Sequence, residues 1–283
     1  MPISENDAQV LSALVKAREK HEELAELLNF YYDLYKVQFE AKAGLPAPEV
    51  RDEIAMNWRL QGGIPQLSFD QLDLEVEPFA RLVDRIASVL LRHNPGWDLE
   101  HREGTAEDLL ALARHVFETW DTLTSPRPAE QDASGDSDAV SETPRPWFLA
   151  VGFSLAPYLQ LAADAIGPEL DQSHWTESYC PICGGRPNFA VLEDPSGLRH
   201  LVCSRCNFLW VHQRLGCPFC GSENKQTYYP SEDGIYRLYV CPDCNRYLKT
   251  MDLRGLFRPA HPVVERLLTV GMDLAAQQEG YGV

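Results

Sequence analysis

Hydrophobic positions in the first 120 residues recur every three to four places, the period of a helix with one buried face. Val10, Leu11, Leu14 and Ala17 share such a face behind Ser4, a residue suited to capping a helix start. Leu24, Leu27, Leu28, Tyr31, Leu34 and Tyr35 repeat the spacing in a helix that begins near Glu22. Gly44, Pro46 and Pro48 end it. A short helix is expected over 49–60, stopping at Gly62-Gly63, and another over 77–92 that buries Phe79, Leu82, Val83, Ile86, Val89 and Leu90. Thr105, with Asp108 three residues later, resembles a capping box in which Asp replaces the usual Glu. The helix it opens carries Leu109, Leu112, Ala113, Val116, Phe117 and Trp120.

The period then disappears. From Ser125 to Pro146 the chain is rich in Pro, Ser, Asp, Glu and Ala, too polar to offset its ordering entropy, so a mobile acidic surface loop is expected over 125–146. Trp147 to Ile166 is apolar and uncharged before Asp164. Its length would suit a membrane span, but Pro157 lies within it beside Ser154 and Gln160, and only Arg145 gives it a basic flank. A core helix kinked at Pro157 fits better, in a soluble protein with no membrane insertion.

After a connector through Pro168 to Trp175 the pattern changes to strands. Phe189–Leu192, a turn at Glu193–Gly197 and Leu198–Cys203 form one hairpin. Gln226–Tyr229, a turn at Ser231–Gly234 and Ile235–Cys241 repeat the plan. Phe208–Leu215 supplies a third strand to the first unit. Pro259 and Pro262 introduce a last helix with Val263, Val264, Leu267, Leu268 and Leu274, short enough to need packing against the rest.

The hairpins carry all eight cysteines, as four Cys-x-x-Cys pairs: Cys180/Cys183, Cys203/Cys206, Cys217/Cys220 and Cys241/Cys244. Each pair presents two thiolates from one tight turn, and two pairs complete a tetrahedral four-sulfur shell. The gaps of 19, 10 and 20 residues favour sequential pairing. One site then takes Cys180, Cys183, Cys203 and Cys206, and the other Cys217, Cys220, Cys241 and Cys244. Gly184 and Gly221 follow the first turn of each unit, and Asn207 and Asn245 the second. A glycine there permits positive φ and lets backbone N–H groups face the sulfurs.

Disulfides and redox dithiols are the rival uses of cysteine. The opening residues, Met-Pro-Ile-Ser-Glu-Asn-Asp, lack the basic and apolar regions of a secretion signal, so a reducing cytoplasm is expected, where disulfides do not persist. A thioredoxin-type motif would be one pair opening a helix, not four pairs in a β repeat. Four-sulfur sites suit zinc and iron alike. Filled by protein at every position, they leave no place for substrate or hydrolytic water. His200 and His212, near the first site in sequence, are expected on exposed strand faces rather than as spare ligands. Trp210, Tyr239 and Tyr247 are expected to pack the small units rather than to dock a partner.

Composition narrows the function classes. The chain carries a net charge of −17, yet residues 177–258 hold 10 Lys+Arg against 8 Asp+Glu, a local +2, which leaves 15 against 34 elsewhere. Two divalent ions in four-thiolate shells would add about −2 each. That region is then not the basic surface nucleic acid requires. No Gly-rich phosphate loop, Gly-x-Ser-x-Gly or His-Glu-x-x-His is present, and no enzymatic activity is expected.

The stretches Cys-Pro-Ile-Cys-Gly-Gly-Arg-Pro (180–187), Cys-Ser-Arg-Cys-Asn-Phe-Leu-Trp (203–210), Cys-Pro-Phe-Cys-Gly-Ser (217–222) and Cys-Pro-Asp-Cys-Asn-Arg-Tyr-Leu-Lys (241–249) resemble the formate dehydrogenase accessory protein family (FdhE-type). Tyr31 to Gln38 and Gly63-Ile-Pro-Gln-Leu67 are similar more loosely, and Ser204 departs from the proline of the other knuckles. The resemblance implies a cytoplasmic assembly factor that binds the catalytic subunit of a molybdenum- or tungsten-dependent formate dehydrogenase before export. It also implies iron in the two rubredoxin-like sites, with zinc the alternative. A rubredoxin-like electron carrier and a zinc-ribbon nucleic-acid-binding protein are the competing functions. The expected architecture is α+β: a helical domain over 1–175, tandem rubredoxin-like (zinc-ribbon-like) β units over 176–215 and 216–258, and a C-terminal helix over 259–283 packing back.

Overall fold

The computed structural model describes residues 2–99, 104–123, 146–223 and 227–282. Its helices are α1 (Glu5–Lys20), α2 (Ala25–Gly44), α3 (Glu53–Gln61), α4 (Val76–His93), α5 (Ala106–Leu123), α6 (Pro146–Ile166), α7 (Pro262–Leu268) and α8 (Val270–Gln278). Its strands are β1 (Pro187–Leu192), β2 (Arg199–Cys203), β3 (Leu209–His212), β4 (Thr227–Pro230), β5 (Tyr236–Cys241) and β6 (Arg246–Asp252). The acidic segment expected at 125–146 lies outside the described residues except for Pro146, which opens α6. The chain divides into two compact units.

Among the described residues, the first unit comprises 2–48, 67–99, 104–123 and 146–162. Two of its helices, α1 and α5, start where their caps are written. The Ser4 hydroxyl accepts the Asp7 N–H at 3.1 Å. Thr105 and Asp108 form the reciprocal box, with Asp108 N–H on Thr105 Oγ1 at 3.2 Å and Thr105 N–H on Asp108 Oδ2 at 2.7 Å. α1 packs on α2, α2 on α4 and α4 on α5. The face of α4 predicted from its periodicity is the buried one, including Phe79, Val83 and Ile86 at full burial. Each such side chain contributes roughly 1.5–3 kcal/mol. Gly152 of α6 is needed for close approach, because a Cβ there would lie 1.9 Å from the Trp120 ring. Trp120 instead stacks on Phe148, with centroids 5.7 Å apart. α6 is long and apolar enough to cross a membrane by length and composition, and 56% of that stretch is buried within the protein.

Among the described residues, the second unit comprises Glu49–Gln66, 163–223 and 227–282, so α3 belongs with the strands. One six-stranded sheet runs in the order β3-β2-β1-β6-β5-β4. The expected β units are both present as antiparallel three-strand meanders. They are fused edge to edge by a parallel pairing of β1 with β6, Ala190 opposite Thr250 and Leu192 opposite Asp252. β1 is central and almost wholly buried, whereas every residue of the edge strand β4 is exposed. α7 packs on β1 and β6, and α8 on β6. Leu238, Val240, Tyr247 and Ala276 form a small core between strands and α8.

The single last helix expected from Val263 to Leu274 is instead two. α7 ends at Thr269, whose φ of −96° and ψ of 19° leave the helical region. The Thr269 hydroxyl bonds back to the Glu265 carbonyl at 3.0 Å, and Lys249 takes the Arg266 carbonyl at 2.8 Å. The Thr269 N–H still bonds the Glu265 carbonyl at 3.2 Å, so these side chains add donors at the end of α7, where the last carbonyls lack helical partners.

Candidate metal centres

Two hairpins and their knuckles bring the eight cysteines together in two groups. Within each group the sulfurs lie within 4.8 Å of one another: Cys180, Cys183, Cys203 and Cys206 in the first, Cys217, Cys220, Cys241 and Cys244 in the second. In the first, Cys180 Sγ is 3.5 Å from Cys206 Sγ, Cys183 Sγ 3.5 Å from Cys203 Sγ, and Cys183 Sγ 3.6 Å from Cys206 Sγ. In the second, Cys217 to Cys244 is 3.7 Å and Cys220 to Cys241 is 3.8 Å. A tetrahedron with metal–sulfur bonds of about 2.3 Å has edges of about 3.8 Å. A disulfide would need about 2.05 Å. The donor sets therefore fit a tetrahedral soft-metal ion and not cystines.

Both knuckles are built alike. The Gly184 N–H bonds the Cys180 carbonyl at 2.9 Å, and the Gly221 N–H the Cys217 carbonyl at 3.0 Å. These glycines have φ of 73° and 71°, and Asn207 and Asn245 after the second knuckles have φ of 61° and 52°. Backbone N–H groups face sulfur in each unit: Arg205 N to Cys203 Sγ and Phe219 N to Cys217 Sγ, both at 3.4 Å. Such bonds stabilise thiolate over thiol. Burial pushes the Cys180 and Cys206 thiols well up, while bonds from the neighbouring cysteines hold Cys183 well down, assisted by the Arg205 charge. An entering cation would displace the remaining protons.

The two centres differ in their cover. All four cysteines of the first are buried, Cys180 and Cys203 completely. A strap from the α3 segment lies against its first knuckle: Gln66 N–H bonds the Pro181 carbonyl at 2.8 Å, and Tyr179 OH bonds the Gly63 carbonyl at 2.7 Å. Pro65 sits beside Gly184. Arg59 and Arg51 hold the strap by bonding the carbonyls of Pro65 and Gln66. In the second centre Cys217 and Cys241 are buried, Cys244 is half-buried and Cys220 is exposed.

Arg199 links the units. It leaves β2, is 1% exposed, and its guanidinium bonds the carbonyls of Gln213 and Gly216 in the segment just before Cys217. Burial lowers it to about 10. Neither the strap nor Arg199 stood out by residue type, although Gly63-Ile-Pro-Gln-Leu67 is a stretch that carries the family resemblance.

The histidines depart from expectation, while the aromatics follow it. His212 is buried rather than exposed, with Nδ1 3.2 Å from the Gln213 carbonyl, and desolvation lowers its pKa. His200 is half-buried on β2. Trp210 and Tyr247 are core residues, bonding the Glu177 carbonyl at 3.3 Å and Asp273 at 2.9 Å. The half-buried Tyr239 lies 5.3 Å from the Tyr228 ring. The aromatics left exposed are Trp58, Tyr228, Tyr229 and Phe257, among the described residues.

A helical unit and a fused double meander with two four-cysteine groups define an α+β protein able to hold two tetrathiolate metal ions. Residues 179–214 match the family model for the FdhE central domain. The Protein FdhE homolog of Aquifex aeolicus (strain VF5) is 26% identical over 284 residues, spanning 96% of this chain and 90% of that one. The Protein FdhE homolog of Pseudomonas aeruginosa is 30% identical over 209 residues, spanning 62% of this chain and 67% of that one. The crystal structure of the FdhE protein from Pseudomonas aeruginosa superposes on 99% of this chain and 94% of that chain, with a TM-score of 0.66 at 21% identity, and so shares its fold. The chain belongs to the FdhE family.

Proposed function

We propose that this protein is a cytoplasmic accessory factor that binds the catalytic subunit of a formate dehydrogenase and is required for its maturation. In this reading 176–215 and 216–258 are two metal-binding units whose cysteines hold one ion each. Iron is the expected ion, with zinc the competitor, since both accept four thiolates. The observation that carries the reading is the pair of four-sulfur groups at tetrahedral spacing in a member of the FdhE family. With every coordination position supplied by cysteine, an ion there has no open site for substrate. That favours a binding role over catalysis.

The test is anaerobic affinity purification from the native host, with metal analysis and identification of co-eluting proteins. Recovery of a formate dehydrogenase catalytic subunit with two equivalents of metal supports the reading. A deletion strain that retains every formate dehydrogenase activity of the host overturns it. The exposed edge of the second centre at Cys220 favours electron transfer as a second reading. That reading requires bound iron whose visible band bleaches and returns on one-electron reduction and reoxidation.

A further inference from the structure

We propose that the two centres have different tasks: the first is a sealed structural centre, and the second exchanges a thiophilic divalent ion with an incoming thiolate through Cys220. This rests on the two-ion reading above and goes beyond it.

Ligand exchange at a four-sulfur ion needs two things. The incoming thiolate must reach the metal, and one resident sulfur must leave without dismantling the fold. Cys220 meets both conditions. It is the exposed member of its group, and it sits on a knuckle whose glycine has open space: a Cβ on Gly221 would meet nothing within 4 Å. The corresponding Cβ on Gly184 would meet Pro65 at 3.3 Å. The knuckle of Cys180 and Cys183 is held by the strap bonds from Gln66 to Pro181 and from Tyr179 to Gly63, and Cys203 and Cys206 are buried. Trp175 reinforces that side by donating to the Tyr179 carbonyl at 2.9 Å.

The step is a substitution and not a redox reaction. A thiolate, from glutathione or a partner cysteine, donates a lone pair to the ion, and the bond from the ion to Cys220 Sγ breaks. Cys220 departs as a thiolate and takes a proton from solvent, while the metal keeps its charge. Cys217 and Cys241, buried at the base of the site, hold the ion until further thiolates replace them. The half-buried Cys244 is the next sulfur within reach.

The experiment uses the full chain loaded with two equivalents of zinc and mixed with a chromogenic chelator, with and without glutathione. Two release phases of one ion each are expected, separated by about tenfold or more, as loss of outer-shell contacts commonly produces. Only the fast phase should accelerate with glutathione. Timed alkylation read by mass spectrometry should label Cys220 and Cys244 before any cysteine of the first group, which assigns the phases without a variant. Tyr179→Phe, which removes one strap bond, should speed the slow phase alone. Two ions leaving at one rate, or first-group cysteines labelled first, overturns the division of tasks while leaving the two-ion reading intact. A chain that never binds a second ion overturns both.

Discussion

Gln38 of α2 donates its side-chain amide to the carbonyl of Phe153 in α6 at 2.8 Å. That carbonyl lies four residues before Pro157, which has no N–H to give it. A residue 115 positions away thus supplies the donor that the helix lacks, and α6 runs through the proline without a break. Removing a buried partner of this kind costs about 1–3 kcal/mol. Gln38→Ala should therefore lower the unfolding free energy of the helical unit by that amount. In a Pro157→Ala background, where the helix can bond its own carbonyl, the cost should shrink by half or more. Equal costs in both backgrounds, measured by urea denaturation, would show that Gln38 acts through packing alone.

Lys249 of β6 is a buried cation that holds the α7–α8 corner. Its ammonium bonds Asp273 Oδ2 at 2.6 Å and the Arg266 carbonyl at 2.8 Å, and its side chain is 3% exposed. Lys249→Met takes the cation from Asp273, which keeps only the Tyr247 hydroxyl, and leaves the Arg266 carbonyl only the Thr269 hydroxyl, a change costing about 1–3 kcal/mol. Hydrogen exchange should quicken across Pro262–Gln278 before it does in β1 and β2. Uniform loss of protection would mean that the corner has no independent stability.

The same residue shows why part of the fold was hidden in the sequence. The helices announced themselves because Phe79, Val83 and Ile86 recur on one face and Ser4 and Thr105 write their own caps. The cysteine groups were legible because ligand spacing is a local property of each knuckle. β6 was not: Arg246-Tyr-Leu-Lys-Thr-Met-Asp252 buries its Lys, Thr and Asp alongside its apolar residues, so no period-two alternation appears. Two of its buried polar groups have partners outside the strand, Asp273 for Lys249 and Arg237 for Asp252. Those partners define both the strand and the break after α7. The strap over the first centre was hidden for the same reason, since its bonds to the first knuckle join groups more than 110 residues apart.

Arg199 positions the second centre from the strand that ends in the first. Arg199→Met would strip the Gly216 carbonyl of its donor in a buried setting, at about 1–3 kcal/mol, and would leave the Gln213 carbonyl only the His212 ring. The segment before Cys217 should loosen, so metal affinity at the second centre should fall while the first is unchanged. Competition titration with a chelator of known affinity, resolved into two sites, measures this. Parallel weakening of both sites would show that Arg199 supports the sheet as a whole.

Tyr236 gives a pH dependence of definite sign. Its hydroxyl donates to Glu265, while Arg258 donates to the same hydroxyl at 2.9 Å. Burial first, then the bond to Glu265 and its negative charge, raise the Tyr236 pKa well above the ordinary value of 10.0. The folded state therefore keeps a proton that the unfolded chain surrenders near pH 10. The stabilisation is whole below that pH and is lost progressively as pH rises from there towards the folded value. Lys249 works oppositely, because burial lowers its pKa, so the slope of the wild type alone mixes the two. The difference from Tyr236→Phe separates them, since the Lys249 contribution is common to both proteins. At pH 8 the variant should be less stable by about 1.5–3 kcal/mol, the usual worth of a hydrogen bond to a charged group. Between pH 10 and 11 the gap should narrow, as the wild type loses what the variant never had. Urea midpoints taken at half-unit pH steps decide it, and a gap that stays constant across that range would show that the Tyr236 hydroxyl is not held protonated by Glu265.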